Sequence, residues 1–267
     1  MSTPAITGKT RLFCIVGDPI VQVRSPQVYT EQFAAAGIDA VLVPMQVSAD
    51  RCAEIIPALM ALGNLDGLLV TAPLKARVAA FADRLGPTAA CIGAVNALRR
   101  EADGSWTGDM FDGEGFVRGL LAKGARVHGR RVLQFGAGGA GSAIACALAN
   151  AGVRSIRIVN PDPRQTQSLI ASLAKVFPAC DVQAASDDRS DFDMIVNASP
   201  VGMRPDDGLP GDLGALTSDT LIGDVVLSST PTAIVQAALD HGCQWADGRD
   251  MHAGQIGAIM NFFVART

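Results

Sequence analysis

Gly136-Ala137-Gly138-Gly139-Ala140-Gly141 separates the apolar run Arg131-Val132-Leu133-Gln134-Phe135 from the alanine-rich stretch Ser142 to Asn150. The order reads as strand, tight glycine turn and helix, the pattern of a dinucleotide pocket. A pyrophosphate reaches backbone N–H groups only where no Cβ intervenes, and the first N–H groups of the helix and its dipole then face the negative charge. Gly136, Ala137, Gly138, Gly139 and Ala140 are accordingly expected to contact a cofactor.

On the carboxyl side of this turn, short apolar runs alternate with helical stretches: Ser155 to Val159, a helix around Gln165 to Phe177, Asp193 to Asn197, Thr220 to Val226, and a helix from Thr232 to His241 closed by Gly242. The segment Met203 to Thr217, broken by prolines and glycines, reads as a loop. On the amino side the same rhythm runs through Leu12 to Val16, Pro26 to Ala36, Ala40 to Pro44, Ala49 to Leu62, Gly67 to Thr71, a helix from Lys75 to Leu85, the run Gly93 to Arg99, a turn at Asp103-Gly104, and Trp106. Alternation of this kind predicts parallel strands joined by helical crossovers. A helix from Asp112 to Lys123 connects the two series, and a last helix carrying Met251, Ile256, Ile259, Met260 and Phe263 is expected to pack back on the first. The fold expected is α/β with two domains, an N-terminal α/β domain and a Rossmann-type doubly wound domain. Ligands collect at the carboxyl ends of such strands.

Composition agrees with an α/β enzyme. The 267 residues are 49% hydrophobic but only 5% aromatic, so the core is built from Ala, Val, Leu and Ile rather than large rings. The net charge of −4 and the scattered Lys and Arg leave no stripe for a phosphate backbone, which argues against nucleic acid as a partner. Six cysteines lie far apart with no CxxC pair or neighbouring histidines, so buried thiols rather than a metal site are expected. Met1 to Thr10 lacks an apolar core of signal-peptide length, and no run of about 18 apolar residues occurs, so a cytoplasmic protein without a membrane partner is expected.

A nicotinamide supplies hydride, but a ketone oxygen must also gain a proton from a positioned side chain. The sequence suggests no carboxylate partner for His128, His241 or His252. Lys75 is the stronger candidate: it follows Val70-Thr71-Ala72-Pro73-Leu74 into the first turn of a helix, where a cation gains nothing from the helix dipole. Asp112 opens the connector helix, where a carboxylate also serves as a cap. In contact, a lysine and an aspartate hold each other ionised or tune the lysine for proton exchange.

Taken together, Val16-Gly17-Asp18-Pro19-Ile20 with Ser25-Pro26, Val70 to Lys75, Gly93-Ala94-Val95-Asn96, Gly108-Asp109 with Asp112-Gly113, Gly136 to Ala140, Asn197-Ala198-Ser199 and Gln255 resemble the shikimate dehydrogenase family, in order and over nearly the whole chain. The resemblance implies a substrate domain over 1–113, completed by 248–267, and an NAD(P)-binding Rossmann domain over 114–247. It implies Lys75 and Asp112 as the catalytic pair beside the C3 oxygen of the substrate, and Ser25, Thr71, Asn96 and Gln255 as ligands for the carboxylate and hydroxyls of a cyclic hydroxy acid. It further implies that Asn160, Asp162, Arg164, Ala198, Ser199, Val225 and Gly248 join the glycine turn in holding NAD or NADP. No metal is implied, and the oligomeric state is open between monomer and homodimer.

The chain departs from the family at several of these places. Val23, Leu69 and Leu227 stand where the family has serine, asparagine and tyrosine, and Met110-Phe111 replace a small polar pair, so a more apolar pocket is expected. The substrate is thus left open among shikimate, quinate and a related acid. After the second strand of the nucleotide domain the family has Asn-Arg-Thr and a further arginine, whereas this chain has Asn160-Pro161-Asp162-Pro163-Arg164-Gln165. Asp162 suits a ribose 2′-hydroxyl and repels a 2′-phosphate, favouring NAD(H), while Arg164 attracts such a phosphate. Two other readings are carried: a catalytically silent, nucleotide-dependent sensor of a pathway acid, and a dehydrogenase of the same fold acting on a different substrate.

Overall fold

A computed structural model describes residues 6–185, 192–204 and 206–265. The chain divides into two compact units, one formed by everything up to Phe111 together with the chain from Ile256 onward, the other by Asp112–Gln255. Compared with the boundaries suggested by the sequence, residues 112–113 and 248–255 fall in the second unit.

The first unit contains β1 (Arg11–Gly17), α1 (Ser25–Ala35), β2 (Ala40–Gln46), α2 (Cys52–Met60), β3 (Leu65–Val70), α3 (Lys75–Val78), β4 (Arg84–Leu85), α4 (Pro87–Ile92), β5 (Ala97–Arg100) and β6 (Trp106–Asp109). Its strands are ordered β2-β1-β3-β5-β6-β4. Side chains alternate across this sheet as the period of two demands. Cys14, Val16, Leu68, Val70 and Leu98 face one core with Ile56 of α2 and Val78 of α3. Phe13, Ile15, Leu69 and Ala97 face another with Tyr29 and Phe33 of α1. Ala258, Ile259 and Phe263 close that second core, with the Phe263 ring centred 4.9 Å from that of Phe13.

One strand corrects the expectation of parallel pairing. β5 runs antiparallel to both β3 and β6. Only five residues join β5 to β6, with Gly104 at φ +87°, and so short a link makes a hairpin because a parallel return needs a crossover. The helix expected from Lys75 to Leu85 is a single turn, α3, followed by a 3-10 turn over Ala79–Phe81 and by β4. α4 is initiated by Pro87 and closed by Gly93 in the left-handed region, and the strand expected from Gly93 begins only at Ala97, after a turn over 93–96.

The second unit contains α5 (Asp112–Ala122), β7 (Arg131–Phe135), α6 (Gly139–Asn150), β8 (Ser155–Val159), α7 (Pro163–Val176), β9 (Asp181–Ala184), β10 (Met194–Asn197), β11 (Leu221–Asp224), α8 (Ala233–Asp240) and β12 (Gln244–Ala246), and α9 (Gly248–Val264) then leads back to the first unit. Its sheet is parallel throughout, in the order β12-β11-β10-β7-β8-β9. Counted from β7, that is the doubly wound order 3-2-1-4-5-6, with its switch point between β7 and β10. α8 covers one face, where Leu133, Phe135, Ile195 and Ile222 meet Ile234 and Val235. Among its described residues, Met203 to Thr217 contains no helix or strand, as the sequence suggests. Five of the six cysteines are buried, and burial pushes the Cys14 thiol up to about 12. Among the described residues no helix is long and apolar enough to cross a membrane.

Candidate active site

In the first unit, several of the expected residues are drawn to the carboxyl end of β3. The Thr71 N–H donates to the Val16 carbonyl at 2.9 Å, holding the end of β3 beside the end of β1. Leu74 N–H donates back to Thr71 at 3.0 Å, forming the tight turn that starts α3 at Lys75. The Lys75 carbonyl accepts from Val95 N–H at 3.1 Å, and the Asn96 carbonyl accepts from Val70 N–H at 2.8 Å. Lys75, Thr71 and Asn96 are thus fixed against one another by the backbone. Lys75 is half-buried, whereas Asn96 is buried and accepts the Phe111 N–H on its Oδ1 at 2.9 Å. Asn96 therefore anchors the residue immediately before Asp112, which no local sequence signal announced. Ser25 begins α1, after the loop that follows β1, and is half-buried.

Of Val23, Leu69, Met110, Phe111 and Leu227, which depart from the family pattern, all except Leu227 have a packing role. Leu69 and Phe111 belong to the core with Ile15, Ala97 and Tyr29, and Val23 packs against that cluster. Met110 is fully buried, whereas Leu227 is exposed. An asparagine at position 69 would place an amide in this apolar cluster, at a cost unless it were hydrogen-bonded.

In the second unit the glycine turn lies at the switch point. Gly136 has φ +99°, and a Cβ there would lie 2.6 Å from the Ala198 carbonyl oxygen, so only glycine lets this turn pass under the end of β10. A Cβ on Gly141 would lie 2.4 Å from the Gly136 oxygen, so the helix can close on the strand only without it. Gly138 is the N-cap of α6 and has no side chain to occupy the first N–H groups, while a Cβ there would meet nothing within 4 Å. The result is an open row of helix donors suited to a pyrophosphate.

Gln134, buried in the middle of β7, donates through Nε2 to the Gly136 carbonyl at 2.9 Å and the Gly141 carbonyl at 2.8 Å. It holds the turn from beneath, and its only sequence signal is an amide in an otherwise apolar strand. Asn160 accepts the Ala137 N–H on Oδ1 at 3.1 Å and donates to the Asp162 carbonyl at 2.9 Å, tying the turn to the end of β8. Asp162 caps α7, its Oδ1 accepting the Arg164 N–H at 2.9 Å. Ser199 N–H and Oγ–H both donate to Asn197 Oδ1, which sets the backbone of Ala198 and Ser199. Val225 and Gly248 also come together: a Cβ on Gly248 would lie 2.6 Å from the Val225 oxygen. Asp247 accepts the N–H groups of Arg249 and Asp250 just after Gly248. Burial works against its charge, but the Arg249 guanidinium and these N–H groups outweigh it and hold the carboxyl below its usual range.

Asp112 opens α5, and His252 and Gln255 lie one turn apart on α9. Gln255 Nε2 is 3.3 Å from His252 Nδ1. Burial lowers the pKa of His252, while the charge of Asp112 acts in the opposite direction. The sequence suggested no carboxylate for any histidine; the fold supplies one to His252 from another helix.

A doubly wound sheet with an open glycine turn at its switch point, in a chain whose other unit presents a lysine and an amide at the end of β3, defines a nucleotide-dependent oxidoreductase class. Residues 15–98 match the family model of the shikimate dehydrogenase substrate binding domain. Shikimate dehydrogenase (NADP(+)) of Rubrobacter xylanophilus is 36% identical over 258 residues, spanning 94% of this chain and 89% of that protein. Among solved structures, shikimate 5-dehydrogenase of Listeria monocytogenes in complex with shikimate and NAD superposes with a TM-score of 0.88 at 29% identity, covering 98% of this chain and 94% of that one. The ligand-free 5-ketofructose reductase of Gluconobacter sp. strain CHM43 gives 0.84 at 29% identity, covering 97% and 94%. The chain belongs to the shikimate dehydrogenase family of NAD(P)-dependent oxidoreductases.

Proposed function

We propose that this protein transfers hydride reversibly between a nicotinamide and C3 of shikimate, quinate or a closely related cyclic hydroxy acid. The observation that carries the reading is the junction at β3, where backbone hydrogen bonds set Lys75 beside Val95-Asn96 and next to Thr71. Bound NAD or NADP supplies the hydride. The chain's own residues do the rest: Lys75 gives a proton to the carbonyl oxygen in reduction and takes it back in oxidation, with Asp112 as its carboxylate partner. Ser25, Thr71, Asn96 and Gln255 bind the substrate's hydroxyls and carboxylate, short polar groups that fix several neutral hydroxyls at once. The substrate-binding role falls to 1–113 with 248–267, and the nucleotide-binding role to 114–247.

The test is absorbance at 340 nm with shikimate and quinate against NAD and NADP. Turnover of either acid supports the reading, and turnover of neither supports the sensor. A second substrate class is favoured by Val23 and Leu69, which put apolar groups into the cluster around Phe111, and by the likeness to a reductase named for a keto-sugar. A neutral polyol ketone in the same assay tests it.

The pyrophosphate falls to Gly136, Ala137, Gly138, Gly139 and Ala140, and the remainder of the nucleotide to Asn160, Asp162, Arg164, Ala198, Ser199, Val225 and Gly248. Between the two nucleotides, the preference proposed is for NAD(H). One oxygen of Asp162 caps α7, and a carboxylate in the turn after the second strand of such a sheet suits a ribose 2′-hydroxyl and repels a 2′-phosphate. Serine caps a helix as well as aspartate does, so Asp162→Ser removes the charge and keeps the cap. The NADP-to-NAD ratio of kcat/KM is expected to rise about tenfold, equivalent to about 1.4 kcal/mol, with the melting temperature unchanged. An unchanged ratio would put the discrimination elsewhere.

A further inference from the structure

His252, on α9, faces Gln255 with one ring nitrogen and buries the other. Its Nδ1 lies 3.3 Å from the amide nitrogen of Gln255, and its Nε2 is buried with no hydrogen-bond partner among the described residues. An amide nitrogen only donates, so Nδ1 is the acceptor and the single proton of the neutral ring sits on Nε2. Burial keeps the ring neutral, which preserves that lone pair.

The arrangement has a cost. A buried N–H without a partner is unfavourable, and an apolar side chain of similar size would fill the same place without it. What the imidazole supplies that an apolar group does not is the Nδ1 acceptor. Its effect falls on a side chain whose Cβ lies against α5: a Cβ on Gly115 of α5 would lie 2.6 Å from Gln255 Cβ and 2.7 Å from the Met251 carbonyl oxygen, so α5 and α9 touch here through backbone. With Gln255 Cβ against α5, the direction of its carboxamide is set further out, by what the amide itself touches. A hydrogen bond to Nδ1 sets that direction with nitrogen toward the ring and the carbonyl oxygen turned away from it.

We propose that His252 is a positioning residue, which fixes the Gln255 carboxamide with its oxygen presented as an acceptor for a hydroxyl of the substrate. This rests on the reading that Gln255 binds substrate. The imidazole does not itself touch the reacting atoms, and its influence passes through one amide.

The experiment compares His252→Leu, His252→Asn, Gln255→Ala and the His252→Leu/Gln255→Ala double variant in the 340 nm assay, with shikimate and then quinate as probes. Asparagine places an oxygen close to the position of Nδ1, so it keeps the acceptor that leucine lacks. His252→Leu is expected to raise the KM for the acid about five- to tenfold, the effect of one lost hydrogen bond, with kcat and the cofactor KM within about twofold. His252→Asn should restore the KM to within about twofold of the parent, and His252→Leu should add less than about twofold in the Gln255→Ala background. An unchanged acid KM in His252→Leu, with Gln255→Ala raising it, overturns the proposal alone. A full additional effect in the double variant, or an equal rise in the cofactor KM, also overturns it by showing a general structural role. If Gln255→Ala itself leaves the acid KM unchanged, or neither acid is turned over, the reading of Gln255 fails and the proposal falls with it.

Discussion

Replacing Lys75 with alanine is expected to lower kcat by about 10³-fold, the scale of a lost general acid–base group, while the cofactor KM stays within about twofold. The separation of effects follows from where the residue sits. Lys75 is the first residue of α3, a helix of four residues, where the dipole opposes a cation, so its ammonium does not serve helix stability. Its backbone contribution is the carbonyl that accepts from Val95 N–H, and alanine keeps that bond. The glycine turn assigned to the cofactor belongs to the other unit. Lys75→Arg provides the complement: it retains positive charge but gives up a proton poorly, so it should remain at least about 100-fold below the parent. Steady-state rates at 340 nm, a cofactor titration and a thermal melt together make the measurement. Turnover of Lys75→Ala within about tenfold of the parent would remove the residue from proton transfer, however well the rest of the family pattern holds.

Much of this was legible because it is local. The glycine turn declares itself in six consecutive residues, and the flanking strand and helix have the composition their burial requires. Lys75 and Asp112 stand out by position in their helices, before any partner is known. What was not legible depends on direction or distance. The alternation that marks β5 as a strand says nothing of its sense, which the short link at Gly104 decides. β9 and β12 are short edge strands, β9 largely exposed and β12 only three residues long, too short for an apolar period to reveal them. Gln134 is a polar residue within an apolar strand, and only the folded turn shows that both its hydrogen bonds go to glycine carbonyls. His252 and Gln255 lie three positions apart on a helix, a spacing visible in the sequence, but the nearby carboxylate of Asp112 comes from residues far away in the chain. Asp224 and Asn197 are separated by 27 positions, and neither has an apolar or turn context that announces a pair.

That last pair carries the second large effect. Asp224 is completely buried at the end of β11, where Oδ1 accepts from Asn197 Nδ2 at 2.9 Å and Val226 N–H at 3.1 Å, and Oδ2 accepts from the Thr232 hydroxyl. The carboxylate thereby joins β10, β11 and the start of α8, next to Val225. Asp224→Ala leaves three buried donors without acceptors and is expected to cost about 3 kcal/mol of stability. Asp224→Asn should cost less than about 1 kcal/mol, because its oxygen still serves two donors and its amide can donate to the Thr232 oxygen. The two substitutions also separate charge from hydrogen bonding. Burial raises the pKa of Asp224, against the opposing pull of its hydrogen bonds, and the Asp247 charge adds to the rise. A carboxyl that binds its proton more tightly folded than unfolded stabilises most below its unfolded pKa, and loses that contribution as pH rises through the folded value. Asparagine has no such titration, so from about pH 4 toward neutrality the stability difference should shift in favour of Asp224→Asn. Denaturant unfolding of the three proteins at both ends of that range is the measurement. Asp224→Asn as unstable as Asp224→Ala would show that the charge itself is required, and a difference independent of pH would show that burial does not govern this carboxyl.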